Sequence, residues 1–289
     1  MLECVPNFSE GRDPKVVAAI ASAIQGTPGV VLLGHEMDAD HNRSVFTFAG
    51  EADAVIEGAV RAAEVAKLRI DLSKHVGIHP RVGAADVIPF IPLDGSTMAD
   101  AIAAAERAGQ EIWQRLSIPV YFYGEAARRE SRKRLEGVRR KGFDGAPPDV
   151  GSIPAHPTAG ASVVGARQFL LAYNVDLETP DLKIAQEIAR RIRASSGGFA
   201  HVKAMCLYLE SRHRAQVSMN LTNFFETALE DVFQKIAASA NELGTSVADC
   251  EVIGFVPLQA YCKDPAFFAR ASNFTESRIL ENRLRQLVP

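Results

Sequence analysis

One octapeptide occurs twice in this chain of 289 residues. Asp86-Val-Ile-Pro-Phe-Ile-Pro-Leu93 and Glu251-Val-Ile-Gly-Phe-Val-Pro-Leu258 agree at five of eight positions, with two conservative exchanges, at an offset of 165 residues. A repeat at that distance is of domain size, so each half should supply similar elements in a similar order. Period and punctuation bear this out along the sequence. In the first half, Leu2–Val5 reads as a strand and Lys15–Ile24 as a helix. The turn Pro28-Gly29 leads into a strand at Val30–Leu33, and Arg43–Phe48 reads as the next strand. A helix from Asp53 to about Leu68 and a strand at Val87–Leu93 follow. A further helix opens at Thr97, which with Asp100 resembles a capping box. The second half gives a strand at Phe169–Val175, a helix from Thr179-Pro180, and strands at Val202–Leu209 and Arg214–Leu221. A helix from Phe225 to Gly244 and a strand at Val252–Leu258 complete it. Each half therefore carries the order βαββαβ, the split βαβ arrangement of ferredoxin-like folds. The expectation is an α/β (α+β) chain of two tandem subdomains, 1–165 and 166–289, joined near Gly165. Convergence of two buried strands on Val, Ile, Phe and Pro is the alternative, and the shared element order speaks against it.

Composition narrows the classes of function. With 32 Lys+Arg against 35 Asp+Glu, the net charge is -3, and 47% apolar with 23% charged residues is ordinary globular composition. Binders of nucleic acid carry a basic excess, because phosphate neutralisation dominates that affinity, so no nucleic-acid partner is expected. An anionic ligand must be met by local basic groups. Cys4, Cys206, Cys250 and Cys262 form no CxxC pair, which signals neither a zinc knuckle nor a redox dithiol and suits a reducing compartment. The N-terminal MLECVPNF has no basic segment before an apolar core, and no run approaches about 18 apolar residues. A cytoplasmic protein without membrane contact is expected.

Where the halves differ, chemistry can be sought. Shifting His79 by the repeat offset lands on Gly244, and His-Pro-Arg occurs in the first half only. The segment Lys74–Ala84 is too rich in Gly and Pro for a regular element, and loops beside rigid strands commonly carry reactive groups. An imidazole there can exchange a proton near neutral pH, and Arg81 is suited to a carboxylate. The alternative reading makes His75 and His79 hydrogen-bonded loop histidines. A metal site is a third reading, with His35, Glu36, Asp38, Asp40 and His41 as a second polar cluster. Four-residue spacing unites ligands only on a helix, Gly77 and Pro80 disfavour one, and HExxH is missing, so no metal is expected. GxSxG is missing too, and Cys206, five residues from His201, lies in a strand-like run as a structural thiol. Between Arg128 and Lys141 stand eight Lys/Arg and two Glu, read as a solvated helix face that also supplies positive potential. Asp144–Gly165 is rich in Gly, Pro, Ala and Ser. It is either a linker or a ligand loop whose backbone amides read a planar polar group. Ser195-Ser196-Gly197-Gly198 is a second candidate loop.

Taken together, Glu3–Arg12 (ECVPNFSEGR), Asn42–Gly50 (NRSVFTFAG), His79–Leu93 (HPRVGAADVIPFIPL) and Tyr123–Arg128 (YGEAAR) resemble the glutamate formiminotransferases. That family includes the N-terminal part of the bifunctional formiminotransferase cyclodeaminases. The resemblance runs from Glu3 into Glu251–Leu258, nearly the whole chain. It implies two similar subdomains with a ligand cleft between their sheets, and transfer of the formimino group from N-formimino-L-glutamate to N5 of tetrahydrofolate. Tetrahydrofolate is thus a co-substrate, and no metal is implied. The family's catalytic histidine falls on His79, and an assisting carboxylate, Asp in animal members, falls by counting on Glu36, with Asp38 as a nearby substitute. Asn42, Arg43 and Arg81 become candidates for binding substrate carboxylates. Folate contacts fall on Gly151, Ser152, Ile153, Pro154, Ala155, His156, Pro157, Thr158, Ala159 and Gly160. A second set falls on Gly197, Gly198, Phe199, Val202 and Lys203. Ala159 stands where animal members carry Trp. A homodimer is implied, and a separate cyclodeaminase would be needed for the next step. Two other readings remain at this level: formyl transfer between 5-formyltetrahydrofolate and glutamate, and a non-catalytic folate-binding protein.

Overall fold

The computed structural model describes residues 1–140 and 147–287 and divides into two compact units, Met1–Gln168 and Phe169–Pro289. In the first unit, β1 (Leu2–Cys4) and β2 (Asn7–Phe8) form one interrupted strand. Pro6, which has no N–H to donate, lies in the gap. Helix α1 (Pro14–Gln25), the strands β3 (Val30–Asp38) and β4 (Arg43–Gly50), α2 (Ala52–Arg69) and β5 (Ala85–Pro92) follow. Strands β4 and β5 flank β1 and β2 in antiparallel pairing, and β3 lies outside β4. That is the expected βαββαβ sheet.

The first unit then goes further. Helix α3 (Met98–Leu116) leads to β6 (Val120–Gly124), α4 (Leu135–Arg140) and β7 (Ser162–Ala166). Strand β7 inserts in parallel between β5 and β6, extending the sheet. The capping box read at Thr97 is formed, with Thr97 and Asp100 exchanging side-chain and backbone hydrogen bonds. Side chains of α1, α2 and α3 join Phe46, Phe48, Phe90 and Phe122 in one core. A smaller cluster of Val87, Tyr121, Tyr123 and Val163 packs with Leu135 and Val138 of α4. Strands β6 and β7 thus bury both faces, each large side chain contributing roughly 1.5–3 kcal/mol.

The second unit runs β8 (Leu171–Leu177), α5 (Leu182–Ile192), β9 (Val202–Leu209), β10 (Arg214–Leu221), α6 (Leu229–Glu242) and β11 (Val247–Ile253). Its antiparallel sheet has the order β11-β8-β10-β9, the same relative order as the first four strands of the first unit. Short helices α7 (Leu258–Lys263), α8 (Pro265–Ala269) and α9 (Leu280–Leu287) complete it, with Phe267 and Phe268 fully buried. Among the described residues, no helix is long and apolar enough to cross a membrane.

Both octapeptides enter the fourth strand of a βαββαβ unit, and each pairs with that unit's first strand. They end differently. In the first copy β5 continues through Pro92, whereas the second leaves the sheet at Gly254, whose φ of +75° the glycine tolerates. The strand expected at Val252–Leu258 is therefore Val247–Ile253, and Leu258 opens α7. The unit division falls after Gln168 instead of at 165/166, because β7, containing Gly165, belongs to the first sheet. Strand β3 reaches Asp38, well past Leu33, because its backbone stays paired with β4 to the end of the hairpin. Phe225 lies outside α6 and is 62% exposed.

Candidate active site

Three of the four quoted sequence motifs, Glu3–Arg12, Asn42–Gly50 and His79–Leu93, meet at the loop that carries His79. Strand β5 begins with an irregularity: Asn7 pairs with Val87 while Phe8 pairs with Ala85, leaving Asp86 as an extra residue. Such a bulge re-aims side chains. The Asp86 carboxylate, fully buried, accepts from Arg43 Nη1 at 2.7 Å, from the Val82 N–H at 2.6 Å and from the Gly83 N–H at 3.3 Å. Arg43 Nε also donates to Asn7 Oδ1 at 3.0 Å. The segment entering β5 is thereby tied to β4 and to the first motif.

Three further ties reach the same segment. Ser9 donates from its backbone N–H to Ala84 O and from Oγ to Gly83 O. Asn42, held at φ +47°, accepts from the Gly11 N–H and donates to Val76 O, both at 2.9 Å. Gly11 fits here because a Cβ would lie 2.1 Å from Asp38 O. The third tie is Arg81, whose Nη2 donates to Gly77 O and His79 O at 2.7 Å and whose Nη1 donates to His75 Nδ1. That leaves the His75 proton on Nε2, which donates to Asn42 O at 3.2 Å. Burial, and next the Arg81 charge, hold the His75 pKa below its ordinary 6.5. His75 is thus a neutral strut.

His79 itself is half-buried. Its Nδ1 lies 2.8 Å from Pro80 O, and since a carbonyl only accepts, Nδ1 carries the proton and Nε2 is the basic nitrogen of the neutral ring. The ring centroid of His41 is 6.0 Å away. His41 is 9% exposed, its Nε2 has no hydrogen-bond partner, and its backbone N–H donates to Asp38 Oδ1 at 2.7 Å. Glu36 and Asp38 lie in β3, not in a loop, opposite Val45 and Arg43 of β4. Two residues apart on a strand, they share a face.

The first folate-candidate segment is joined to the histidine loop by backbone hydrogen bonds. Leu72 N–H donates to Thr158 O, Ala84 N–H to Ala159 O, and Ala161 N–H to Val82 O. Within the segment, His156 and Gly160 exchange backbone hydrogen bonds around a tight turn, with Gly160 at φ +69°. The His156 Nδ1 accepts from the N–H groups of Ala159 and Thr158, and burial followed by the Lys67 charge pulls its pKa below 6.5. Gly151, at φ +96°, sits against Trp113. Ser152, Ile153 and Pro154 are exposed, as is Pro157, with Ala155 half-buried. Ala159 is 1% exposed within the core, so its side chain offers no ligand surface.

The remaining candidates lie in other elements. Tyr123–Arg128 packs at the end of β6, with Arg128 4.8 Å from the Phe122 ring centroid. In the second unit, Gly197 has φ +86° and open space around its Cα, and Gly198 N–H donates to Arg193 O. Phe199 N–H donates to Ile192 O, Val202 is buried and Lys203 half-buried. The basic run is no mere solvated face: Arg132 is 1% exposed, ion-pairs with Asp149 at 2.7 Å and lies over the Tyr121 ring. Lys141, its last residue, lies outside the described ones, as do residues 144–146 of the loop read at 144–165. Burial raises the Cys206 pKa, so this thiol is not activated. Both ring nitrogens of His75 are engaged, and among the described residues no group of three or more His, Cys, Asp or Glu is placed to hold a metal ion. Sequence reading had no signal for Asp86, since a bulge depends on pairing between distant strands.

Comparison with known proteins gives the same division of the chain. Residues 1–167 match the N-terminal subdomain of the formiminotransferase domain, and residues 172–287 match the formiminotransferase domain. The chain is 40% identical over 294 residues to a glutamate formimidoyltransferase of Streptococcus pyogenes serotype M1, covering 98% of both chains. It is 38% identical to one of Thermoplasma acidophilum, covering 99% of this chain and 98% of that one. A formimidoyltransferase-cyclodeaminase of Mus musculus is 41% identical over 283 residues, which span 93% of this chain and 52% of the mouse protein. With both halves matched and the histidine loop built from the shared motifs, this chain belongs to the formiminotransferase family.

Proposed function

We propose that this protein transfers the formimino group from N-formimino-L-glutamate to N5 of tetrahydrofolate, giving 5-formiminotetrahydrofolate and L-glutamate, with His79 as general base and then general acid. The observation that carries the reading is the placement of His79: its Nδ1 lies 2.8 Å from Pro80 O, which can only accept, so in the neutral ring Nε2 is the basic nitrogen. The N5 lone pair attacks the formimino carbon, and Nε2 takes the N5 proton. The tetrahedral intermediate then breaks its bond to the glutamate nitrogen, which receives that proton. One imidazole serves both steps, and such transfer contributes roughly 10² to 10⁴-fold in rate.

Other residues take supporting roles. Glu36 is the assisting carboxylate, since Asp38 Oδ1 is used to hold the hairpin through the His41 N–H. Arg81, Asn42 and Arg43 act chiefly by positioning the loop, because their polar groups make the ties described above. The segments 151–160 and 197–203 contact folate, the first through exposed Gly151–Pro154 and the His156 turn. The protein works as a homodimer, as the resemblance implies, and in the cytoplasm, which suits its four scattered cysteines. The test is a spectrophotometric assay of tetrahydrofolate with N-formimino-L-glutamate. His79→Ala should lose roughly 10² to 10⁴-fold in kcat with an unchanged melting temperature, and near-normal turnover would end the proposal.

A further inference from the structure

Two branched aliphatic side chains stand in solvent beside His79. Val76 is 72% exposed and Ile78 is 41% exposed. Single exposed apolar residues are common and need no explanation. What sets these apart is the loop that carries them. Gly77, between them, lies against His41, Asn42 and Arg81, where a Cβ would meet all three within 2.9 Å. Val76 O is held by Asn42, and the carbonyls of Gly77 and His79 are held by Arg81. Three carbonyls of this loop are thus held while both side chains stand exposed.

We infer that Val76 and Ile78 form an apolar rim on which the reduced pterin ring of the folate lies while its N5 faces His79. The inference rests on the proposed role of His79. If that imidazole takes the N5 proton, the two nitrogens must come within hydrogen-bond distance, about 2.6–3.2 Å. A fused bicyclic ring held there extends beyond His79 itself, and Ile78, its immediate neighbour in the chain, and Val76 are the exposed apolar side chains of the same loop. The chemistry matches: a flat ring has apolar faces and a polar edge, and small-molecule sites combine apolar walls with a few placed polar groups. A surface already clamped in place also binds with less ordering cost. A second copy of the chain is a poorer occupant, because two side chains fall far short of the roughly 1,200 Å² that a stable protein interface buries.

The experiment uses the full chain with Val76→Ser, Ile78→Ser, the double variant and Ile78→Leu. Each is assayed for the KM of tetrahydrofolate and of N-formimino-L-glutamate, and titrated calorimetrically with 5-formyltetrahydrofolate. Each Ser variant should raise the tetrahydrofolate KM and the 5-formyltetrahydrofolate Kd by about tenfold. The formiminoglutamate KM and the melting temperature should stay unchanged, and Ile78→Leu, which keeps an apolar side chain, should recover most of the folate affinity that Ile78→Ser loses. An active wild type whose double variant retains normal folate KM and Kd overturns the rim. So does a double variant that changes oligomeric state in sedimentation without losing folate affinity. A wild type with no formimino transfer overturns the proposed function instead, and the titration then decides the rim by itself.

Discussion

His75 and Arg81 show how loop residues can fix one another's positions. Arg81 spends three hydrogen bonds on one loop, to His75 Nδ1, Gly77 O and His79 O. A lysine ammonium cannot reproduce this fork. Arg81→Lys should therefore fold yet lose between about tenfold and a hundredfold in kcat, through misplacement of His79; an unchanged kcat would remove Arg81 from the positioning role. His75 makes a pH prediction. Burial and then Arg81 hold its folded pKa below 6.5, so the unfolded chain binds the proton more readily. Its contribution to stability is complete above the unfolded pKa and is lost as pH falls from about 6.5 toward the folded value. His156 acts in the same sense. Urea unfolding between pH 7.5 and 5 should show stability falling with pH, and His75→Asn should flatten part of that slope; an identical slope would refute the assignment. At this scale His79 could be singled out from sequence as a candidate, because His-Pro-Arg occurs once, in a Gly- and Pro-rich segment of the first half. Its tautomer could not be read, since that depends on the position of one carbonyl oxygen.

Among the elements, those with strong local signals were readable and those defined by distant pairing were not. Helices α1, α2 and α3 follow from their apolar spacing, and the Thr97 capping box from two side chains. Strand β7 was missed because Ser162–Ala166 is buried on both faces and shows no alternation. The bulge at Asp86 exists only because β5 pairs with β2, which lies far away in the chain, so its burial with Arg43 has no sequence signature. Removing one partner of a buried ion pair strands the other charge, at a cost of about 3–5 kcal/mol. Asp86→Ala should lose stability of that order in urea titration, whereas a loss below about 1 kcal/mol would mean that water reaches Arg43. Gly160→Ala tests the neighbouring turn. With φ at +69° and Val82 O 2.3 Å from an added Cβ, the variant should lose more than about 1 kcal/mol.

For the whole molecule, the duplicated octapeptide marks two units that each possess a core. The second has a complete antiparallel sheet, two covering helices and its own buried aromatics, and its length lies within the range of independent domains. Residues 169–289 expressed alone should therefore melt cooperatively by circular dichroism; a featureless trace would show that the core does not suffice. The net charge of -3 had pointed to locally gathered positive charge, and the structure qualifies this. Arg43, Arg81 and Arg132 are all engaged within the first unit. The sequence alone determined the doubling, the βαββαβ order and the family, and it singled out His79 as a candidate, because these rest on local periodicity and on long contiguous motifs. Tertiary structure alone decided that β6 and β7 extend the first sheet, that Asp86 bulges out to hold Arg43, and that Asn42, Ser9 and Arg81 hold the loop beside the His156 turn. Those features depend on hydrogen bonds and charge pairs between residues far apart in the chain, which no local pattern encodes.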